Sequence, residues 1–403
     1  MKKCRVVLWV VVLALVGLTA AVSAQETLVV AARGGSHVDA MNAVKDAFEA
    51  EHNVKIEILG LESADLKQKI GLDSVNEVGE LDLIMVDDPW MPEFGENGIL
   101  ANLSELGYEA DADFAEKSLA LGRVPYATGD IYALPYSGNV ILFFYNKALF
   151  EKYDVTEVPG DWAAVLEIAK KVSEGGEIGY VIRGTQGDPI VADFLPVLWA
   201  FGGNVFDEDF NVTIDSEEAK AALTLYMTLL ENGVNYEKND IVAAVSEGKA
   251  AMSLGWPSWY ISGETASAAY APIPGKVDGG AEKNAAGMIG NWLMGVTANS
   301  GKKELALEFL KYVTSAEAQK TEALHGGVPT RASVLTDAGL TAKYAYFPTL
   351  LEATNESVAR PRTPLWGEVQ TALGAELSAA ISRVKNVEDA LTTARMQIEM
   401  IME

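Results

Sequence analysis

The chain has 403 residues, 49% hydrophobic and 22% charged, with 57 Asp and Glu against 31 Lys and Arg and a net charge of −26. That composition is globular, long enough for two domains, and excludes a disordered chain. Charge of this sign repels phosphate backbones and anionic lipid, so nucleic acid is not expected as a partner.

The opening "MKKCRVVLWVVVLALVGLTAAVSAQE" carries Lys2, Lys3 and Arg5, then an apolar run from Val6 to Leu18, then Val22-Ser23-Ala24. This is the three-part pattern of a secretory signal peptide. The run of 13 residues falls short of the roughly 20 that a membrane-spanning helix needs. Cleavage is expected after Ala24. The leader holds three positive charges and no negative one, which leaves the exported chain near −29. Cys4 is the only cysteine and precedes the apolar run, whereas a lipid-modified cysteine follows such a run. The exported chain is therefore expected to have no lipid anchor, no disulfide and no thiolate metal site.

Strand and helix patterns then alternate. "TLVVAA" (27–32) reads as a strand, and "RGGS" leads into a helix with Val38, Met41, Val44 and Phe48 on one face and Ser36 as its cap. "VKIEIL" (54–59) reads as a second strand, and the apolar run Leu81–Val86 as a third. This is the order of a parallel sheet with crossover helices. Residues 129–153 hold a short strand, a Pro/Gly break and a second apolar strand. Residues 161–176 form a helix capped by Asp161, 179–184 a strand, and 190–206 an apolar helix stopped at Gly202-Gly203. A helix over 215–233 opens on an Asp215-x-x-Glu218 capping box. Strands are expected over 249–256 and 287–299, and helices through the C-terminal region.

The third strand runs straight into Asp87, Asp88, Pro89 and Trp90. In open α/β sheets the carboxyl ends of strands face the ligand, so these residues form either the lip of a site or an acidic turn over a packed Trp. Trp256, Trp259, Trp292 and Trp366 also lie at element ends, whereas Trp162 and Trp199 read as core. Aromatic faces beside Asp, Asn and Arg suit a neutral polyhydroxylated ligand, with C–H faces on the rings and hydroxyls on the polar groups. Catalytic signatures are few. The three histidines make no metal-binding spacing, no nucleophile elbow or phosphate loop appears, and no cofactor or metal is expected. "RGGS" is an anion-binding turn or an ordinary glycine turn. Asp87/Asp88 and Asp207/Glu208/Asp209 are the only candidate acid/base sets.

Six stretches in order, 82–106, 129–153, 161–172, 248–259, 290–319 and 326–335, together resemble the carbohydrate-binding extracellular solute-binding proteins of ABC importers, the maltose-binding-protein-like group. The resemblance implies an α/β two-lobe periplasmic-binding-protein fold with discontinuous lobes joined by a hinge and the ligand in the cleft. The lobes would be 25–137 plus 287–333 and 138–286 plus 334–403, crossing near Tyr136–Val140, Ala285–Gly290 and Arg331–Asp337. It implies a periplasmic, monomeric protein that closes by hinge motion on a sugar or sugar alcohol and docks on an inner-membrane permease. By the same resemblance Asp88, Trp256 and Trp292 are the first ligand-binding candidates, then Asp87, Trp90, Asn291, Trp366, Arg360 and Arg362. Arg33, Ser36 and His37 line the cleft from the first loop. "YVIRGTQGD" (180–188) and "RPRTPLW" (360–366) resemble the sorbitol/mannitol-binding branch. Arg33, Arg183, Arg360 and Arg362 leave an acidic sugar open. The alternatives are the same fold binding a peptide, anion or metal, and a secreted carbohydrate-active enzyme.

Overall fold

The computed structural model describes residues 25–259, 267–275 and 285–403; the expected signal peptide lies outside these residues. The strands are β1 (Glu26–Arg33), β2 (Val54–Leu61), β3 (Leu83–Asp87), β4 (Arg123–Val124), β5 (Asp130–Ile131) and β6 (Leu134–Ser137). They continue as β7 (Leu142–Asn146), β8 (Ile178–Ile182), β9 (Gly233–Asn235), β10 (Ala250–Gly255), β11 (Ala268–Ala271) and β12 (Trp292–Val296). Two five-stranded sheets result, ordered β2-β1-β3-β12-β6 and β11-β7-β10-β8-β9, with β4 and β5 as a small separate ribbon. The β1/β2, β1/β3, β8/β9 and β8/β10 pairs are parallel; β12 runs antiparallel to both β3 and β6. The sheets are thus mixed, not wholly parallel: β12 enters the first from the far end of the chain, and in the second β7 runs antiparallel to both β10 and β11.

Each sheet has its own core. The helix Ser36–His52 buries Ala40, Met41, Val44 and Phe48 against the first sheet, at the spacing its sequence shows. Each such side chain contributes roughly 1.5–3 kcal/mol by leaving water. The second core gathers Phe143, Tyr180, Phe194, Tyr226, Leu254 and Trp366. The Asp161 side chain accepts from the Ala164 N–H at 2.9 Å and caps the helix Trp162–Glu174. Two expected caps are displaced by one residue. Gly35, at φ 78°, is the residue before the first helix, Ser36 lies inside it, and no side chain caps it. A left-handed φ there suits only glycine. The helix Glu217–Glu231 is capped by Ser216, which accepts from the Ala219 N–H at 3.2 Å, so Asp215 stands just outside.

Three segments pass side by side between the sheets. Val140 bridges Ile289, and Met288 bridges Val358. The Ile141 N–H donates to Met288 O, Gly290 N–H to Asn139 O, and Ile289 N–H to Val358 O. The third passage is therefore at 357–360, not at Arg331–Asp337. Arg331 is held within the first lobe by Asp111 and Asp113 at 2.6 and 3.3 Å. Val334, Leu335, Leu340, Tyr344, Phe347, Leu350 and Ala353 all pack in the first core. The first lobe thus continues to about residue 356, past the expected boundary at 333.

Candidate ligand-binding cleft

The side chains that meet between the sheets come from one edge of each. In the first sheet Arg33 closes β1, Asp87 closes β3 and Trp292 opens β12. Because β12 is antiparallel to β3, Trp292 pairs directly with Asp87, so a strand's first residue stands beside another's last. In the second sheet Arg183 follows β8, Lys238 follows β9, and Trp256, Ser258 and Trp259 follow β10. Asn139, Gly290 and Arg360 are supplied by the three crossing segments. Together these residues line a cleft of about 440 Å3, within the size range of small-ligand sites and at the strand ends where α/β folds place them.

Seven of the residues singled out in the sequence stand on this wall: Arg33, Ser36, His37, Asp87, Trp256, Trp292 and Arg360. Five do not. Asp88 is fully buried beneath it, because β3 ends at Asp87 and the chain turns at once into the 3-10 turn Asp88–Trp90. Its carboxylate accepts from Arg360 Nη2 at 2.5 Å and Arg362 Nη1 at 3.1 Å. Asn291 is fully buried, its Oδ1 accepting from the Asn139 N–H at 2.8 Å. Trp90 packs edge-on against Trp292 at 5.7 Å. Trp366 lies in the second core, and Arg362 stacks over Tyr126 at 5.1 Å. The wall also holds Glu62, Ser63, Asn139, Asp188, Lys238 and Ser258, which were not singled out, along with Arg183 and Trp259. Glu62, Asp188 and Lys238 each follow a strand end within a few residues, the one signal that marks them.

Aromatic surface comes from both sheets. Trp292 is braced by His37 at 5.9 Å and by Trp90. The Arg183 guanidinium lies over the Trp259 ring at 5.1 Å. Trp256 is seated against Gly290, where an added Cβ would fall 2.3 Å from its Cη2. Gly290→Ala is therefore expected to push the Trp256 ring out of place, weakening ligand binding about tenfold or more, a loss that calorimetric titration would register.

Arg360 gathers three carboxylates, Asp87 at 3.1 Å and Asp88 from the first sheet's β3 edge and Asp188 at 3.3 Å from the other side of the cleft. Burial, with Asp88 and Asp188 adding like charge, pushes the Asp87 carboxyl up to about 7 against the pull of Arg360. Arg33 pairs with Glu62 at 2.7 Å. Burial lowers the His37 imidazole to about 4, so it is neutral at physiological pH. Asn139 Oδ1 is buried without a hydrogen-bond partner among the described residues, an acceptor suited to a hydroxyl.

Behind His37 the Tyr136 hydroxyl donates to the His37 carbonyl at 3.1 Å, and Glu322 nearby is 3% exposed, its Oε1 buried without a hydrogen-bond partner among the described residues. Burial raises the Glu322 carboxyl well above its usual value. Folding then takes up a proton above about pH 4.5, and stability falls as pH rises. Glu322→Gln keeps a donor there without a proton uptake. It is expected to raise the melting temperature on the order of a few degrees at pH 8 and to change it little at pH 4, by calorimetry at both.

Comparison with known proteins places this architecture. The family model described as bacterial extracellular solute-binding protein matches residues 34–320. A probable amino-acid ABC transporter periplasmic-binding protein of Sinorhizobium fredii is 24% identical over 91% of this chain and 87% of its own length. The mannitol-binding protein of Pseudomonas aeruginosa is 25% identical over 92% of each. The maltose-bound MalE3 of T. maritima is 26% identical, with a TM-score of 0.81 over 93% of this chain and 99% of that one. Among the described residues no helix is long and apolar enough to cross a membrane. The chain belongs to the bacterial extracellular solute-binding proteins, and its relatives place it with those of ABC transporters.

Proposed function

We propose that this protein captures a sugar or sugar alcohol in the cleft and delivers it to a membrane permease, working in the periplasm after removal of residues 1–24. The observation that carries this reading is the meeting of Trp256, Trp259 and Trp292, from two sheets, in one cleft also lined by Asn139, Ser258, Asp87 and Arg360. Rings bind the C–H faces of a polyol and the polar groups take its hydroxyls. The mannitol and maltose named for two relatives support the same ligand class. The three adjacent crossing segments support closure by hinge motion.

Asp87 and Asp188 face the cleft but share one guanidinium, and Asp207, Glu208 and Asp209 are exposed outside it. This favours capture over hydrolysis, which needs two carboxyl groups set on either side of a scissile bond and not held together on one cation. A different solute class is favoured by one observation, the amino-acid label of the Sinorhizobium relative. A thermal-shift panel of sugars, sugar alcohols and amino acids on residues 25–403, unfolded and refolded to strip copurified ligand, tests the proposal. A shift with a carbohydrate or polyol supports it through linkage. A shift confined to amino acids overturns the ligand class.

A further inference from the structure

The cleft's positive charges are not equally engaged. Arg360 is neutralised by three aspartates and Arg33 by Glu62. Arg362, on the far side of Asp88, lies off the wall. Arg183 and Lys238 are different. Arg183 is 7% exposed, approaches one carboxylate, Asp193, at 3.4 Å through Nε, and leaves Nη2 without a hydrogen-bond partner among the described residues. Lys238 has no carboxylate within ion-pair distance among the described residues, in a chain with 57 acidic residues. The fold brings the two to the ends of neighbouring strands. Strands β8 and β9 are parallel neighbours with Ile182 opposite Asn235. Arg183 follows the end of one, and Lys238 stands three residues past the end of the other. Trp259 lies under the Arg183 guanidinium.

We propose that the solute is a polyol bearing one anionic group, with Arg183 and Lys238 at the ends of β8 and β9 receiving the anion while the rings hold the polyol body. The proposal rests on the reading of the cleft as a polyol site and narrows it to acids such as aldonates, uronates or phosphate monoesters. The open positions fit it. A buried guanidinium and an exposed ammonium without full compensation both gain from a ligand charge. Lys238 is already depressed below its ordinary value by burial and by Arg33, which an anion would reverse. A neutral polyol would leave this pair uncompensated inside a closed cleft.

The test is titration calorimetry of residues 25–403 with matched probes: D-gluconate against D-sorbitol, D-glucuronate and D-galacturonate against their parent hexoses, and sorbitol 6-phosphate. The expected result is at least tenfold tighter binding of an acid than of its neutral partner, weakening as salt is raised. Lys238→Met, at an exposed position that keeps the fold, is expected to reduce that acid-to-neutral ratio about tenfold. Preference for the phosphate ester over the carboxylates identifies the anion as phosphate and sustains the proposal. A neutral probe bound as tightly as its acid overturns it and leaves the polyol reading standing. Amino-acid binding with no response to any of these probes overturns both.

Discussion

Asp88→Ala is expected to lower the unfolding free energy by about 3–5 kcal/mol, the usual result of removing one partner from a buried charge set. Asp88 has no exposure, and its two oxygens are shared between Arg360 and Arg362. Without it, two largely buried guanidinium groups lose their common anion, and Arg360 is left between Asp87 and Asp188 alone. Asp88→Asn keeps the shape but not the charge and should fall between wild type and Ala. Asp87→Ala should destabilise much less, since that side chain is 22% exposed and its carboxyl is already strained upward to about 7. Urea unfolding of the three variants checks the order. If Asp88→Ala left the midpoint unchanged but abolished binding, Asp88 would be a ligand contact, as its position in the sequence suggests, and not the anchor described above.

Trp292→Ala is expected to weaken ligand binding on the order of 100-fold with a modest loss of stability. A partly exposed ring between His37 and Trp90 is the kind of aromatic anchor on which binding energy concentrates. Trp256→Ala should weaken binding similarly and also destabilise by about 3–5 kcal/mol, because that ring is 8% exposed and part of the second core. Trp366→Ala, at 1% exposure, should destabilise without a direct effect on affinity. Binding and unfolding measured together separate the three. Equal affinity losses at Trp366 and Trp292 would contradict the placement of the cleft.

Much of this frame is readable in the sequence. The apolar runs around β1, β3, β8 and β10 stop at polar or aromatic residues, and those stops are where the cleft forms. What stays hidden is the direction each side chain takes after the strand ends. Asp87 and Asp88 are neighbours of identical chemistry, yet a 3-10 turn starting at Asp88 sends one to the cleft and the other beneath it. Strand spacing carries no information about that turn. Lys238 is hidden for another reason. The strand before it, Gly233–Asn235, has three residues and begins on the glycine that closes the preceding helix pattern, so no alternation marks it. The third crossing is missed because Arg331 resembles a linker residue in sequence. Its partners, Asp111 and Asp113, lie some 220 positions earlier. The antiparallel entry of β12 likewise depends on a pairing distant in sequence, and it is what brings Trp292 to Asp87.

The most direct test of solute capture in this cleft is a calorimetric titration of residues 25–403 with the carbohydrate or polyol that the thermal panel selects, followed by recovery of the ligand and its mass. One saturable site per chain, a ligand recovered unaltered, and strong weakening by Trp292→Ala are expected. Conversion of the ligand, or saturable binding that Trp292→Ala and Gly290→Ala leave untouched, would contradict capture there.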